Sequence, residues 1–320
     1  NCTQNVLAFS MALIMLFSLF FALGKSWRKE SALKGKGTRY SPYLITNAED
    51  LALFRNEVNG GISFLGKYLA QTEDIDLGAY PNWTPIGIPG TEELFCGTYD
   101  GRGHTINNLY MQKRGNSGLF GTLSGTVMNL GIESGEIKGS CCGAIASHSG
   151  SDRALIINCY SKATLNNYNR AGGIADNFNG EVANCVSLGV LKSAKVGGIL
   201  SYTAKLAVNC GSDIAPLNES FDGYYMNMQT AADENKLAER MNLSLLSSSA
   251  YTLSNVSSLC RWSYSDESGI CLTSEKGLRS PSEIGGGILR NAAAVIILIV
   301  SLAFVLRRGW TANGRYDARA

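Results

Sequence analysis

The sequence predicts an all-β parallel solenoid, and three observations carry that prediction. A small-residue phrase ending in an apolar residue occurs four times, as Gly118-Leu119-Phe120, Gly143-Ala144-Ile145, Gly172-Gly173-Ile174 and Gly197-Gly198-Ile199. A second mark follows each of them in turn: Asn129-Leu130, Asn158-Cys159, Asn184-Cys185 and Asn209-Cys210. The first marks fall 25, 29 and 25 residues apart and the second marks 29, 26 and 25 apart, which is the length of one coil with insertions between fixed positions. Between residues 95 and 215 the apolar runs are short, such as Thr126 to Ile132, Ala154 to Cys159 and Glu181 to Leu188, and no helical periodicity is visible.

Each unit holds two or three of these runs, separated by Gly, Asn and Ser. Strands of successive coils would pair in parallel about 4.8 Å apart, so that equivalent side chains stack. A lone coil cannot bury its apolar face, whereas stacked coils share a continuous core. Gly at the first mark allows close backbone approach at a corner. Asn at the second tolerates the left-handed region and bonds nearby backbone, so Asn129, Asn158, Asn184 and Asn209 are expected to form a structural ladder at one turn. Cys159, Cys185 and Cys210 share a position that Leu130 fills in the first unit, which reads as a small buried core site. A metal ladder is the alternative, but three thiols on three coils lack the paired C-x-x-C spacing of a zinc site. Nine cysteines is an odd number, and Cys260 with Cys271 is the pair that could close a disulfide in an extracellular domain.

The regions flanking the repeats read differently. Thr46 or Asn47 can cap a short helix within 44 to 59, with Glu49 and Asp50 in its first turn and Leu51, Leu53, Phe54 and Val58 as its apolar contacts. Such a helix would cover the open end of the solenoid. Lys67 to Leu77 reads as one or two strands. Its acidic residues Glu73, Asp74 and Asp76 form a solvated turn or a calcium site, and the oxygen-rich spacing of a calcium loop is missing. Beyond Cys210 the rhythm fades. Thr230 to Leu246 is helix-like, Trp262 and Tyr264 follow, and Ser265 to Gly287 reads as a terminal wrap plus linker.

Two hydrophobic runs bracket this region. Val6 to Ala22 is almost wholly apolar and precedes Lys25-Ser26-Trp27-Arg28-Lys29, so residues 1–24 are either a signal peptide or an N-terminal membrane helix. Residues 288–306 are long enough to span a bilayer and are followed at once by Arg307-Arg308. Those arginines would keep 307–320 cytoplasmic and the main domain outside, with the lipid bilayer as a partner of the C-terminal helix. The resulting plan is a solenoid domain over 40–280, a linker over 281–287, the transmembrane helix and a tail. Charge is nearly balanced, 28 basic against 26 acidic residues, and no Lys/Arg stripe interleaved with aromatics occurs along the sequence, so nucleic acid is not an expected partner.

Several phrases in order resemble the GLUG-type repeats of bacterial surface proteins. Tyr43-Leu44-Ile45 with the helix up to Val58-Asn59-Gly60-Gly61 resembles their N-terminal cap. Asp74-Ile75-Asp76-Leu77 followed by Trp83-Thr84-Pro85-Ile86-Gly87 resembles their first strand pair. Residues 95–109, Phe95 to Leu109, match the most recognisable stretch, and Gly118-Leu119-Phe120-Gly121 opens the repeats. The resemblance covers roughly residues 42 to 215. It implies a right-handed parallel β-helix on a bacterial surface and does not imply one activity. No Leu-Pro-x-Thr-Gly signal precedes the final hydrophobic run, so anchoring is expected through the membrane helix itself.

Catalytic constellations are not expected. Glycoside hydrolysis needs two carboxylates aimed at one cleft, and Glu133, Glu136, Asp152, Asp176 and Glu181 share no coil position. His104 and His148 form no H-E-x-x-H phrase, no G-x-S-x-G elbow occurs in a strand-to-helix context, and no phosphate loop or nucleotide fingerprint stands in its βα setting. No catalytic residue, metal site or cofactor is therefore assigned. The function expected is adhesion or binding of surface glycans or extracellular proteins by a non-enzymatic solenoid, with a cell-envelope scaffold as the second reading and a polysaccharide-degrading β-helix as the third. Tyr160, Tyr168, Tyr202, Tyr224, Tyr225 and Trp262 are the candidate contact residues, since aromatic faces stack on sugars and anchor protein contacts.

Overall fold

The computed structural model describes residues 30–112, 115–193, 195–201, 206–208, 210–212, 260–265 and 269–273. The expectations for 1–24, for the helix at 230–246, for the linker, the 288–306 run and the tail lie outside these residues, as do Asn209, Tyr202, Tyr224 and Tyr225.

The chain winds through four short strands per coil, and each strand stacks on its equivalent in the next. Sheet A has seven strands, Tyr43–Ile45, Tyr68–Gln71, Thr98–Asp100, Thr126–Met128, Leu155–Ile157, Glu181–Ala183 and Leu206–Val208. Sheet B has six, Ile75–Asp76, Thr105–Asn107, Gly131–Ile132, Tyr160–Ser161, Val186–Ser187 and Gly211–Ser212. Sheet C stacks Leu109–Gln112, Gly135–Gly143, Thr164–Gly172 and Leu191–Lys192, and Lys195–Gly197 pairs with the far end of the third. Sheet D stacks Phe120–Leu123, Ala146–Ser149 and Ala175–Asn177. All of these pairings are parallel, and the coils number about 6.

The apolar runs of the sequence are split in two by the Asn corner. Asn129, Asn158 and Asn184 have φ of 52°, 55° and 51°, the left-handed region that Asn enters more readily than most residues. The turn lets Val127, Ile156 and Val182 point inward before the corner and Leu130, Cys159 and Cys185 point inward after it. Gly143, Gly172 and Gly197 lie in register on three coils. At each, an added Cβ would land on the backbone of Ala146, Ala175 or Leu200, so the small residue is required by space.

The predicted helix spans Ala48–Asn59. The Oδ1 of Asn47 accepts the Asp50 N–H at 2.8 Å, and the Thr46 N–H donates back to Asp50 Oδ2 at 2.9 Å, so two backbone donors at the helix start are satisfied. It ends where Gly60 and Gly61 fold back onto the carbonyls of Glu57 and Val58. Leu51, Phe54 and Val58 are fully buried. Phe54 meets Phe64, Phe95 and Tyr99 at ring-centroid distances of 5.2, 5.1 and 5.9 Å, which ties the helix to the core of the first coils.

A hairpin not anticipated as such, Trp262–Ser265 with Gly269–Leu272, pairs antiparallel and lies on the outside of sheet B. Trp262, Ile270 and Leu272 pack there against Tyr160 and Val186. Cys271 stands opposite Ser263 in this pairing, its Sγ 3.3 Å from the Ser263 hydroxyl, and no disulfide joins it to Cys260. The expected disulfide is thus not formed, because the hairpin register matches Cys271 with a residue other than Cys260.

Cys159 and Cys185 are fully buried and Cys210 nearly so. The first two donate to the carbonyls of Ile157 and Ala183 at 3.3 and 3.2 Å. Burial pushes the Cys185 thiol well above its usual range, and contact with Cys185, together with burial, does the same to Cys210. Cys185→Asp would place a carboxylate inside this stack and is expected to cost several kcal/mol, against about 1–2 kcal/mol for Cys185→Ala. Urea denaturation of the two variants measures the gap.

Candidate binding face

Two of the four outer surfaces are partly or largely occupied. Outside sheet A, Met128, Ile157 and Ala183 form a separate apolar cluster with no exposure. Outside sheet B lies the hairpin. It is also tied to the Asn corner, since the Cys260 N–H donates to Asn129 Oδ1 and its carbonyl accepts from Asn158 Nδ2, both at 2.9 Å. The corner itself is a continuous chain: Asn184 donates to Asn158 at 2.7 Å, Asn158 to Asn129 at 2.8 Å and Asn129 to Asp100 at 2.8 Å. This is the expected ladder, with Asp100 as an end that the repeat marks did not include.

Sheet C carries the polar outer surface of the solenoid. Its two central strands run for 9 residues each, longer than any other described strand, with an irregularity in their pairing between Gly139 and Cys141. Inward Leu109, Met111, Ile137 and Leu165 belong to the core. Alternation then points Tyr110, Gln112, Glu136, Lys138, Thr164 and Asn166 outward. The register makes rungs of them: Gln112, Lys138, Asn166 and Lys192 stand in one row, and Tyr110, Glu136 and Thr164 in the next.

Contacts between the two rows hold the side chains in place. Lys138 Nζ lies 2.9 Å from Glu136 Oε2 and 5.5 Å from the centroid of the Tyr110 ring. Tyr110 Oη donates to Gln112 Oε1 at 2.8 Å. The hydrogen bond from Lys138 holds the Glu136 carboxyl below its usual range, with Asn166 and Lys192 adding to the effect, and the same pair raises Lys138. Past an irregularity between Gly139 and Cys141, the third strand presents Tyr168, Asn169 and Arg170. Tyr168 is 83% exposed, the largest exposure among the large hydrophobic residues described.

A polar cluster supports this end of the face from behind. Asp176 is fully buried, 3.2 Å from the Arg170 guanidinium, and also accepts a hydrogen bond from Ser201. His148 Nδ1 lies 2.9 Å from Ser147 Oγ and its Nε2 lies 3.4 Å from Asn116 Nδ2. Burial lowers the His148 pKa, with Asp176 opposing and Arg170 reinforcing the shift. Ser147 has no exposure and its Oγ also reaches the Cys141 carbonyl at 3.4 Å, so this Ser–His contact offers no nucleophile to solvent. The residues fix Arg170 at the rim.

The aromatic candidates separate cleanly. Tyr168 is on the open face. Tyr160 and Trp262 are 1% and 3% exposed, with ring centroids 6.2 Å apart beneath the hairpin, which corrects their reading as surface contacts. Tyr160 is held further by Glu133, 2.6 Å from its hydroxyl, while Lys162 binds the other Glu133 oxygen at 2.8 Å. The residues that sequence reasoning missed are Tyr110, Lys138, Asn166, Arg170, Lys192 and Lys195, which come from four coils and carry no shared phrase.

The acidic turn has internal partners. Asp74 Oδ1 accepts the Thr105 N–H at 2.8 Å and lies 3.4 Å from His104, while Asp76 Oδ1 accepts from Gly78 N–H and Asn108 Nδ2, both at 2.8 Å. These bonds hold the Asp76 carboxyl below its usual range. Among the described residues no group of three or more His, Cys, Asp or Glu side chains is arranged to hold a metal ion.

No protein-family model matches the chain. A 152-residue stretch, 44% of the chain, is 32% identical to halomucin of Haloquadratum walsbyi, and the match spans 2% of halomucin's length. Among solved structures, a candidate immunoglobulin A1 protease from Bacteroides ovatus aligns over 76% of this chain and 95% of its own, at 17% identity and a TM-score of 0.40.

Proposed function

We propose that this chain is a membrane-anchored cell-surface protein whose solenoid presents sheet C for adhesion, by binding glycans or extracellular proteins, without catalysis. The observation that carries the reading is the polar outer side of sheet C, on which stacked rungs present Tyr110, Lys138 and Asn166, with the 83% exposed Tyr168 following on the same strand as Asn166. Repeated coils make such a surface rigid, so little order has to be imposed when a ligand docks.

Further support comes from outside the face. Similarity to halomucin agrees with placement at a cell surface. The apolar runs 6–22 and 288–306 would supply export and anchorage; no described helix is long and apolar enough to cross a membrane. The GLUG-type resemblance fits the same location, and a right-handed winding is the sense that crossovers between parallel strands take. In favour of a non-catalytic role, Glu133, Glu136 and Asp176 are each engaged by a neighbouring cation.

The test is a glycan and surface-protein array probed with the full chain. A hit that weakens at least 10-fold for Tyr168→Ala combined with Asn166→Ala, two exposed positions whose change leaves the core alone, is the expected result. Turnover of a polymer would replace the proposal with the enzymatic reading. Absence of any ligand, together with an envelope defect on deletion, would replace it with the scaffold.

A further inference from the structure

The cations of sheet C come together only in three dimensions. Lys138, Arg170, Lys192 and Lys195 are contributed by three successive coils. Lys138 pairs in register with Asn166, and Asn166 with Lys192, so the two ammonium groups stand two rungs apart in one row. Arg170 and Lys195 are adjacent in the neighbouring part of the sheet. Lys192 and Lys195 are exposed. Glu136 is the one carboxylate on the outward side of these strands, and Asp176 lies buried behind Arg170.

From this arrangement we infer that sheet C binds an acidic polysaccharide, a sugar chain with carboxylates spaced by uncharged residues; the inference rests on the binding function proposed above. Two rungs amount to about 9.6 Å at the spacing of parallel strands, the scale of a disaccharide unit. A polymer whose charges recur on that scale meets Lys138 and Lys192 in turn. The hydroxyls between them fall on Asn166, which offers both a donor and an acceptor. Tyr168 and Tyr110 supply ring faces for the sugar planes.

The same spacing disfavours nucleic acid. Each strand of a duplex carries a phosphate about every 3.4 Å, nearly three times denser than the row of cations, and the Glu136 carboxylate would oppose one of those phosphates. The charge pattern of the face matches a sparse polyanion in which neutral rings alternate with charged ones.

Binding of the purified full chain to immobilised hyaluronan, in which a uronate alternates with a neutral sugar, to dextran and to a polythymidine strand tests this. Hyaluronan is expected to retain the chain, with affinity falling as salt rises. The combined change Lys138→Ala, Lys192→Ala and Lys195→Ala is expected to weaken retention at least 10-fold, and arginine at the same three positions to restore it. Lys34→Ala, Lys36→Ala and Lys67→Ala, exposed lysines away from sheet C, should leave it unchanged. Tighter binding to polythymidine, or equal loss in the control variant, overturns the inference. Retention by dextran or a protein that is lost on Tyr168→Ala overturns the acidic ligand while leaving the binding face standing. No retention by any of these or by the array removes both.

Discussion

Gly172→Ala is expected to destabilise the solenoid by at least about 3 kcal/mol, beyond the usual range for an added methyl group in a packed core. The new Cβ would be driven onto the carbonyl oxygen of Ala175 and to 2.9 Å from the Ser201 nitrogen. Neither atom is the end of a flexible side chain, so the coil itself must shift. Register joins Gly172 to Gly143 on one side and Gly197 on the other, so a displacement in one coil is passed to its neighbours. Gly115→Ala serves as the control, since no atom lies within 4 Å of its Cβ position; it should change stability by no more than about 0.5 kcal/mol. Equal urea midpoints for the two variants would show that the corner is not closely packed.

Asn158→Ala is expected to cost about 3–5 kcal/mol. Asn158 donates to Asn129 and to the Cys260 carbonyl and accepts from Asn184, all without access to water, and each buried partner left unsatisfied costs about 1–3 kcal/mol before relaxation. Alanine must also hold φ near 55°, a region that carries about 1–2 kcal/mol of strain for a side chain with Cβ. Asn158→Gly removes the strain and keeps the orphaned partners, so it should be milder by about 1 kcal/mol. Asn158→Asp should be at least as damaging as alanine, because it loses both donors and turns a carboxylate toward two acceptors. Protease sensitivity of 260–273 should rise with the loss of the ladder, since one bond of Asn158 holds that segment.

The parts of this molecule legible in the sequence are those written into each coil. The Gly and Asn marks gave the coil length, and the structure places them at a corner too tight for Cβ and at a corner with positive φ. The Leu130, Cys159, Cys185 and Cys210 position lies inside, as a hydrophobic site occupied by either residue type requires. The surface was less legible because its neighbours are set by register between coils. Lys138 and Lys192 share no phrase, yet stacking brings them into one row. Tyr160 resembled a surface aromatic because the segment that covers it, Trp262 to Leu272, is far away along the chain and shares none of the repeat's rhythm. The same distance concealed the link between Cys260 and the Asn ladder.

Hydrogen exchange of the full chain with and without the ligand returned by the array is the most direct test of sheet C as the binding face. The account predicts that added protection concentrates in 109–112, 135–143, 164–172 and 191–197, with sheets A and B unchanged. Protection centred on the hairpin at 262–272 or on the helix at 48–59, with sheet C unaltered, would contradict it.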